Sequence, residues 1–158
     1  MDREAFCRMV IGNEQQIYRI AKSILKRDED CADAAQEAVA KALAALPSLK
    51  NDAYAKTWFI RILIHAAYDI LRKQRMYVLD LDEAAFDGAE EEQKDYTELY
   101  EAIFSLSEDY RAAIVMHYIE GYRLREIADI LEIPEATVKT RLRRGRQALK
   151  KLMEGEVR

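Results

Sequence analysis

Glycine and proline are scarce in this chain of 158 residues, which has five glycines and two prolines. Because both residues disfavour helix interiors, their scarcity leaves long stretches without an intrinsic helix breaker. Half of the residues are hydrophobic and 34% are charged, and the helix-favouring residues alanine, leucine, glutamate, lysine and arginine are abundant. No stretch alternates apolar and polar residues between turn residues, as a half-buried strand does. The composition therefore predicts an all-α chain.

Long apolar runs are also absent. The most hydrophobic run, Phe59–Leu71, has thirteen residues and contains Arg61, His65 and Asp69. A helix that spans a bilayer needs roughly 20 predominantly apolar residues, so this run predicts a buried helix. The first ten residues include four charged side chains and no apolar core, which argues against a secretory signal. We expect no membrane insertion.

Cysteine and histidine number two each. Cys7, Cys31, His65 and His117 are widely spaced, which favours buried thiols in a reducing cytoplasm over a disulfide framework or a metal site. The sequence has no glycine-rich phosphate loop and no Ser-His-Asp arrangement. We therefore expect no catalytic residues, no cofactor and no metal, and a cytoplasmic location.

Charge is unevenly distributed along the chain, although the net charge is only −4. Residues 1–79 have a net charge of +3, residues 80–101 of −9, residues 102–122 of −2 and residues 123–158 of +4. Two basic ends are thus separated by an acidic middle. This asymmetry indicates that the ends contact a polyanion, which the overall charge conceals.

Three helices are predicted in the first half of the chain, at residues 14–26, 31–46 and 54–75, with a loop at 47–52. In the first helix one apolar stripe is expected to face a core. That stripe comprises Ile17, Ala21 and Ile24, with Ile20 and Leu25 beside it. Trp58 and Phe59, early in the third helix, are interpreted as core residues in preference to base-stacking residues.

An acidic segment at residues 80–95 follows. Its many carboxylates and few apolar side chains predict a linker that is at least partly disordered, with a solvated acidic helix as the alternative. Beyond it, Leu99, Ile103 and Leu106 share one helical face, and a further helix is predicted from Ser107 to about residue 120.

The C-terminal segment predicts a helix-turn-helix. Residues 123–131 form a short amphipathic helix with Leu124, Ile127, Ala128 and Leu131 inward. Glu132-Ile133-Pro134 forms the turn, and Pro134 begins a second helix because its fixed φ suits a first helical position. This architecture is typical of proteins that insert the second helix into the DNA major groove.

At 100° per residue, the second helix has two contrasting faces. Its predicted packed stripe comprises Val138, Leu142, Gly145, Leu149 and Leu152. Its opposite face comprises Ala136, Thr140, Arg143, Arg144 and Gln147, with Lys139, Lys150 and Lys151 at the edges. Seven basic residues and no acidic residue lie between positions 139 and 151. This face predicts DNA binding, with a solvated basic surface as the alternative.

Several motifs resemble those of the extracytoplasmic-function (ECF) sigma factors of the sigma-70 family. Residues 106–111, 118–122, 126–128 and 133–142 are similar to region 4. Asp33, Gln36-Glu37, Thr57-Trp58, Ile60-Arg61-Ile62 and Asp69-Ile70-Leu71-Arg72 resemble region 2. The two sets occur in the order that this family has.

The resemblance implies a promoter-recognition subunit of RNA polymerase that is not itself an enzyme. Region 2 (residues 1–76) is expected to bind core RNA polymerase and the −10 element as single strand. Residues 77–97 form the acidic linker, and region 4 (residues 98–158) is expected to bind the −35 element as duplex. An anti-sigma factor is an expected further partner. The alternative is a helix-turn-helix regulator that is not a polymerase subunit, although residues 14–75 have no purpose in such a protein.

Three sets of site residues are expected. The core-polymerase set is Asp33, Gln36 and Glu37. The −10 set is Ser48, Asn51, Asp52, Tyr54, Arg61, Arg72 and Lys73. The −35 set is Ala136, Thr137, Lys139, Thr140, Arg143, Arg144 and Gln147.

Three positions depart from the family pattern. Glycine is usual in the family where this chain has Glu132 and Ala136, and asparagine is usual where it has His65. If the turn needs left-handed backbone angles at this position, Glu132 adopts them at a higher energetic cost than glycine does.

Overall fold

The computed structural model describes residues 1–78 and 97–155, in two compact units that divide between residues 87 and 88. All regular secondary structure in the described ranges is helical, which confirms the all-α prediction. The predicted acidic segment at residues 80–95 lies outside the described residues. The helices are α1 (Arg3–Gly12), α2 (Glu14–Leu25), α3 (Asp28–Ala45), α4 (Ala55–Val78), α5 (Thr97–Ser105), α6 (Glu108–Ile114), α7 (Leu124–Leu131) and α8 (Glu135–Gly155).

In the first unit α2, α3 and α4 pack against one another. The predicted stripe of α2 is confirmed, since Ile17, Ile20, Ala21, Ile24 and Leu25 are all buried. The matching surface of α3 is a line of small residues one turn apart. That line is Ala34, Ala38 and Ala42, each 0% exposed. Small side chains let neighbouring backbones approach closely, so α3 lies tightly against its partners.

Helix α1 is a structural element that the sequence patterns did not predict. The Asp2 carboxylate caps it by accepting a hydrogen bond from the Ala5 N–H at 2.8 Å. The Phe6 side chain is completely buried, and its ring meets the rings of Phe59 and Trp58 edge to face at centroid distances of 5.6 and 6.4 Å. The core interpretation is confirmed for Phe59, which is buried, while Trp58 is half-buried. The prediction of two buried thiols is wrong for Cys7, which is exposed.

A tight turn joins α2 to α3, and α3 begins at Asp28, three residues before the predicted start. The Arg27 N–H donates to the Leu25 carbonyl oxygen at 2.7 Å across Lys26, whose φ is +67° and ψ −42°. This is a γ-turn of the rare positive-φ kind, which is strained for a residue with a Cβ.

A polar cluster of Tyr18, Lys22 and Asp28 lies beside this turn. The Asp28 carboxylate accepts hydrogen bonds from the Tyr18 hydroxyl and, at 2.9 Å, from the Lys22 ammonium. These bonds lower the pKa of Asp28, with the tyrosine bond as the larger cause. Burial, followed by the bond to Asp28, raises the pKa of Tyr18 to about 12. The cluster fastens the start of α3 to α2 and helps to hold the strained turn.

The second unit is built around α8, which packs against α5, α6 and α7. Ile103 and Leu106 are buried as predicted, but Leu99 is 41% exposed and Ala102 is buried instead. In α7 the predicted inward side chains of Ile127 and Ala128 are buried. Leu124 and Leu131 are only half-buried, whereas Ile130, which was not predicted to face inward, is 0% exposed. The packed face of α7 is therefore rotated slightly from the predicted one.

Helix α6 does not continue regularly to residue 120 as predicted. A π-helical turn at Val115–Ile119 follows Ile114, and Gly121 with φ +76° ends it. The Arg111 guanidinium is 3% exposed and donates to the Leu106 carbonyl oxygen at 2.8 Å, just beyond the end of α5. This arginine therefore links α6 to the end of α5.

The helix-turn-helix prediction is correct, with both helices beginning one residue later than predicted. Helix α8 begins at Glu135, and the Pro134 carbonyl oxygen accepts from the N–H groups of Thr137 and Val138 at 2.9 and 3.2 Å. Pro134 thus precedes the helix and caps it. Glu132 has φ +57° and ψ +47°, so this turn does adopt the left-handed backbone that glycine favours.

We predict that Lys26→Gly makes the first unit more stable than Lys26→Ala does, by about 1 kcal/mol. Both variants lose the lysine ammonium, and they differ in the Cβ that is strained at positive φ. Urea titration followed by the fluorescence of Trp58, the one tryptophan in the chain, would measure the difference. Equal midpoints for the two variants would show that the turn relaxes without cost.

We also predict a pH-dependent effect of Tyr18→Phe. Removing the hydroxyl brings the Asp28 pKa back toward its ordinary value of about 4. Because the pKa of Asp28 is lower in the folded state, its carboxylate stabilises the fold at pH values above the unfolded-state pKa. This stabilisation is lost as pH falls through the folded-state pKa. Wild type should exceed Tyr18→Phe in unfolding free energy by a few tenths of a kcal/mol at pH 6, as exposed pairs do, and the gap should shrink near pH 2. In an Asp28→Asn background this pH dependence should vanish.

Candidate nucleic-acid interface

Helix α8 has the two contrasting faces that its sequence predicts. Val138 and Leu142 are 0% and 2% exposed, and Gly145 is buried. A Cβ added to Gly145 would lie 3.0 Å from Cγ1 of Ile114, so glycine allows a close contact with α6 that a larger residue could make only if Ile114 shifted. The stripe ends sooner than predicted, since Leu149 is half-buried and Leu152 is 38% exposed.

The predicted −35 residues lie together along the other side of α8. Most are exposed and two threonines are half-buried. The exposed members are Ala136, Lys139, Arg143, Arg144 and Gln147, and the half-buried members are Thr137 and Thr140. The Thr140 hydroxyl donates to the Ala136 carbonyl oxygen at 3.0 Å. The outer side of α8 is therefore cationic, with hydroxyl and amide groups that suit base edges.

Two arginines of α8 lie outside the predicted set and have definite partners. Arg141 lies 3.8 Å from the Asp109 carboxylate of α6. Arg146 donates to the Tyr118 hydroxyl at 2.7 Å. The run of seven cations pointed to Arg146, but the angular argument placed it on neither face. Its partner Tyr118 could not be inferred, because the π-helical turn was not predicted.

In the first unit, three predicted −10 residues lie on two short 3₁₀ turns, Leu46–Ser48 and Asp52–Tyr54, and a fourth, Asn51, caps the second turn. The Ser48 hydroxyl donates to the Ala45 carbonyl oxygen at 2.6 Å, and the Asn51 side-chain oxygen accepts from the Ala53 N–H at 3.0 Å. Asp52 pairs with the Met1 amino group at 2.9 Å. These three side chains shape the turns, whereas the Tyr54 ring is 65% exposed. An exposed aromatic ring beside polar turns suits an unstacked base.

Helix α4 contains the other three predicted −10 residues, all of them exposed. At 100° per residue, Arg61 and Arg72 lie within roughly 20° of each other, about 16 Å apart along the helix. Arg72 forms an ion pair with Asp69. Lys73 lies roughly 100° further round the helix from Arg72. The structure therefore brings the two arginines to one face and leaves Lys73 beside it.

The predicted core-polymerase residues Asp33, Gln36 and Glu37 are exposed on α3. Asp33 and Glu37 lie one turn apart on an exposed flank of the helix, roughly 140° and 100° round from the middle of the buried alanine line, and Gln36 lies next to them. Glu37 pairs with Lys41 at 3.1 Å. The patch is polar and accessible, as a docking surface between proteins requires.

Neither a metal-binding cluster nor a membrane-spanning helix is found within residues 1–78 and 97–155. No three His, Cys, Asp or Glu side chains converge there as metal ligands do. No helix in these ranges is long and apolar enough to cross a bilayer.

Comparison with known protein families gives two matches, in this order along the chain. Residues 9–76 match the family described as Sigma-70 region 2, and residues 96–149 match Sigma-70, region 4. The RNA polymerase sigma factor SigV of Bacillus subtilis is 37% identical over 139 residues, which cover 86% of this chain and 83% of the relative. The ECF RNA polymerase sigma factor SigM of Mycobacterium tuberculosis is 30% identical over 154 residues, covering 96% of this chain and 79% of the relative.

Two solved structures are also similar. The sigma factor RpoE of Bartonella quintana, in complex with the anti-sigma factor NepR, gives a TM-score of 0.78 at 25% identity, over 96% of this chain and 98% of that one. CnrH, in complex with the cytosolic domain of CnrY, gives a TM-score of 0.72 at 23% identity, over 98% of this chain and 90% of that one. The second likeness supports the fold alone.

We predict that the two faces of α8 respond differently to truncation. Leu142→Ala should destabilise the second unit by about 2–5 kcal/mol because it leaves a cavity in a close-packed core. Arg144→Ala should change stability by less than about 0.5 kcal/mol yet weaken binding to duplex DNA. Circular dichroism melts and fluorescence anisotropy would measure the two effects. A harmless Leu142→Ala together with an unfolding Arg144→Ala would mean that the helix faces are reversed.

Proposed function

The chain belongs to the sigma-70 family of RNA polymerase sigma factors, in its ECF group, and we propose that it binds core RNA polymerase and directs transcription initiation at promoters. The observation that supports this most strongly is the presence of both regions in one chain, in the family's order. A helix-turn-helix regulator that acts without the polymerase would need only the second unit. The first unit has an exposed polar patch on α3 and an exposed aromatic ring at Tyr54.

In this function residues 1–76 act as region 2, residues 77–97 as a linker and residues 98–158 as region 4. Asp33, Gln36 and Glu37 dock on the polymerase. The exposure of all three on one side of α3 supports this assignment. Charge that complements the partner surface makes binding through such a patch specific and speeds association.

The −10 element is bound as single strand by the first unit. Tyr54 supplies a stacking surface, Ser48, Asn51 and Asp52 form the polar turns beside it, and Arg61, Arg72 and Lys73 contact phosphates. Stacking on an exposed aromatic ring and salt-dependent phosphate contacts are the usual means of holding single strands. The joint exposure of Tyr54 and the α4 cations supports this role.

The −35 element is bound as duplex by α8 in the major groove. Arg143, Arg144 and Gln147 reach base edges, Ala136 permits close approach, and Thr137, Lys139 and Thr140 complete the surface. The cationic outer side of α8, opposite a buried stripe, supports this role. Bidentate arginine contacts to guanine are the commonest specific contacts of this kind.

Regulation and location follow from the same assignment. An anti-sigma factor holds the chain away from polymerase, a role that the similarity to RpoE in its complex with NepR supports. The chain works in the cytoplasm, where the polymerase is. Sigma factors are non-catalytic initiation factors, and this chain has no enzymatic activity of its own.

The proposal predicts that the chain co-purifies with core RNA polymerase and that the double variant Asp33→Lys/Glu37→Lys does not. Reversing both charges removes the docking complementarity and should weaken binding at least tenfold, since losing a close interfacial charge pair costs about 2 kcal/mol or more. Pull-down and fluorescence titration against core polymerase would measure this, with helicity checked by circular dichroism.

The matched control is Glu4→Lys/Glu14→Lys, which changes the charge equally on exposed positions of α1 and α2. The control should bind core polymerase like wild type. If the α3 variant keeps its affinity while wild type binds core, the patch is wrongly assigned but the function stands. If wild type itself fails to bind core polymerase, the proposed function is wrong.

A further inference from the structure

A cleft of about 370 Å³ lies in the second unit, where the π-helical turn and α7 meet α8. His117 lines it from the π-helical turn and Leu124 from α7, and the remaining lining side chains belong to α8. The cleft lies along one flank of α8. Arg144 and Gln147, on the outer side of the helix, do not line it.

The lining of this cleft is suited to an anion. Three permanent cations, Lys139, Arg143 and Arg146, surround it, and no carboxylate lines it. Leu124 and Leu142 supply apolar walls, which lower the local dielectric and strengthen attraction to a negative charge. The Thr140 hydroxyl already donates its proton to a backbone carbonyl oxygen. Charge in the cleft therefore comes from the cations.

The His117 ring is fixed in one orientation. Its Nδ1 lies 2.8 Å from the Tyr122 carbonyl oxygen. Because a carbonyl oxygen only accepts, Nδ1 is the ring nitrogen that donates, and this bond holds the His117 ring as one wall of the cleft.

The Arg146 guanidinium is likewise held in place. One of its terminal N–H groups donates to the Tyr118 hydroxyl at 2.7 Å. The Tyr118 ring meets the His117 ring edge to face, with centroids 4.8 Å apart. An arginine has five N–H donors in a planar fork, so several remain to contact a ligand. Two adjacent residues of the π-helical turn thus shape the cleft, since Tyr118 holds Arg146 and the His117 ring lines one side.

We propose that this cleft binds one phosphodiester group of duplex DNA, with Arg146 as the contacting side chain, His117 as a wall of the cleft and Tyr118 as the residue that positions Arg146. The inference rests on the proposed function. It adds a contact with the DNA backbone by Arg146, which is not among the predicted −35 residues. A guanidinium fork matches two phosphate oxygens. A contact of this kind fixes the register of α8 on the duplex without reading sequence.

The test uses the full chain and a mixed-sequence duplex, titrated at several salt concentrations. Arg146→Ala should weaken binding about tenfold, the loss expected for a hydrogen bond to a charged group. It should also reduce the slope of log affinity against log salt by about 0.9, the amount for one phosphate. Arg146→Lys keeps the charge and should restore the slope but not the full affinity. Wild-type slope and affinity in Arg146→Ala would overturn the proposal.

Side-chain NMR of the same full chain supplies a readout that fold stability does not affect. The His117 ring and Arg146 guanidinium signals should shift on adding duplex, and less so in Tyr118→Phe. Inorganic phosphate at matched ionic strength distinguishes a general anion pocket from a site for a DNA backbone. It should shift these NMR signals at least tenfold less than duplex does. Duplex that leaves both signals unmoved, or phosphate that matches the effect of duplex, would contradict the proposal.

The corresponding change on the DNA replaces one phosphate of the duplex with a neutral methylphosphonate. When this replacement is moved along each strand, it should weaken DNA binding by the wild-type chain at one or two positions. At those positions it should leave DNA binding by Arg146→Ala unaffected. Arg144→Ala, with its altered side chain outside the cleft, should stay sensitive at those positions. If Arg146→Ala keeps the full wild-type pattern of sensitivity, Arg146 contacts no phosphate. None of these measurements needs polymerase or a promoter, so failure here is distinguishable from failure to bind core polymerase.

Discussion

Close approach of helices through very small side chains is the constraint on which both units depend. Ala34, Ala38 and Ala42 give α3 a flat buried line, and Gly145 gives α8 a point where even a Cβ would press on Ile114. Larger side chains there would separate the helices, because protein interiors are close-packed and tolerate little added volume. These positions therefore fix how far each helix is rotated about its own axis.

The rotation of α3 and α8 decides in turn which side chains reach solvent. Asp33 and Glu37 are exposed on a flank of the alanine line of α3, and Arg143 and Arg144 point away from the buried stripe of α8. The packed faces thus set where the proposed polymerase and DNA surfaces lie. A substitution in the packed stripe would reorient these surfaces even though it touched neither partner.

Three arginines of the second unit are held by partners within the fold. Arg111 is buried against the Leu106 carbonyl oxygen, Arg141 lies near Asp109, and Arg146 donates to the Tyr118 hydroxyl. Arg143 and Arg144 are exposed on the outer side of α8, which suits side chains that must adapt to base edges. A count of basic residues alone overstates the number available for sequence recognition.

The sequence by itself determined the helical class, the helix-turn-helix, the buried stripe of α2 and the outward direction of Arg143 and Arg144, because helix propensity and a 3.6-residue period are local properties. The family resemblance singled out Glu132 as unfavourable if the turn is left-handed, and the structure decided that it is. It did not predict α1, whose only buried residue is Phe6, the γ-turn at Lys26 or the π-helical turn at Val115–Ile119. Leu99, Leu152 and Cys7 are exposed against expectation, and Ile130 is buried. Such features depend on contacts between distant parts of the chain, and only the tertiary structure decided them. The pairing of Tyr118 with Arg146, 28 residues apart, and the cleft beside it belong to the same class.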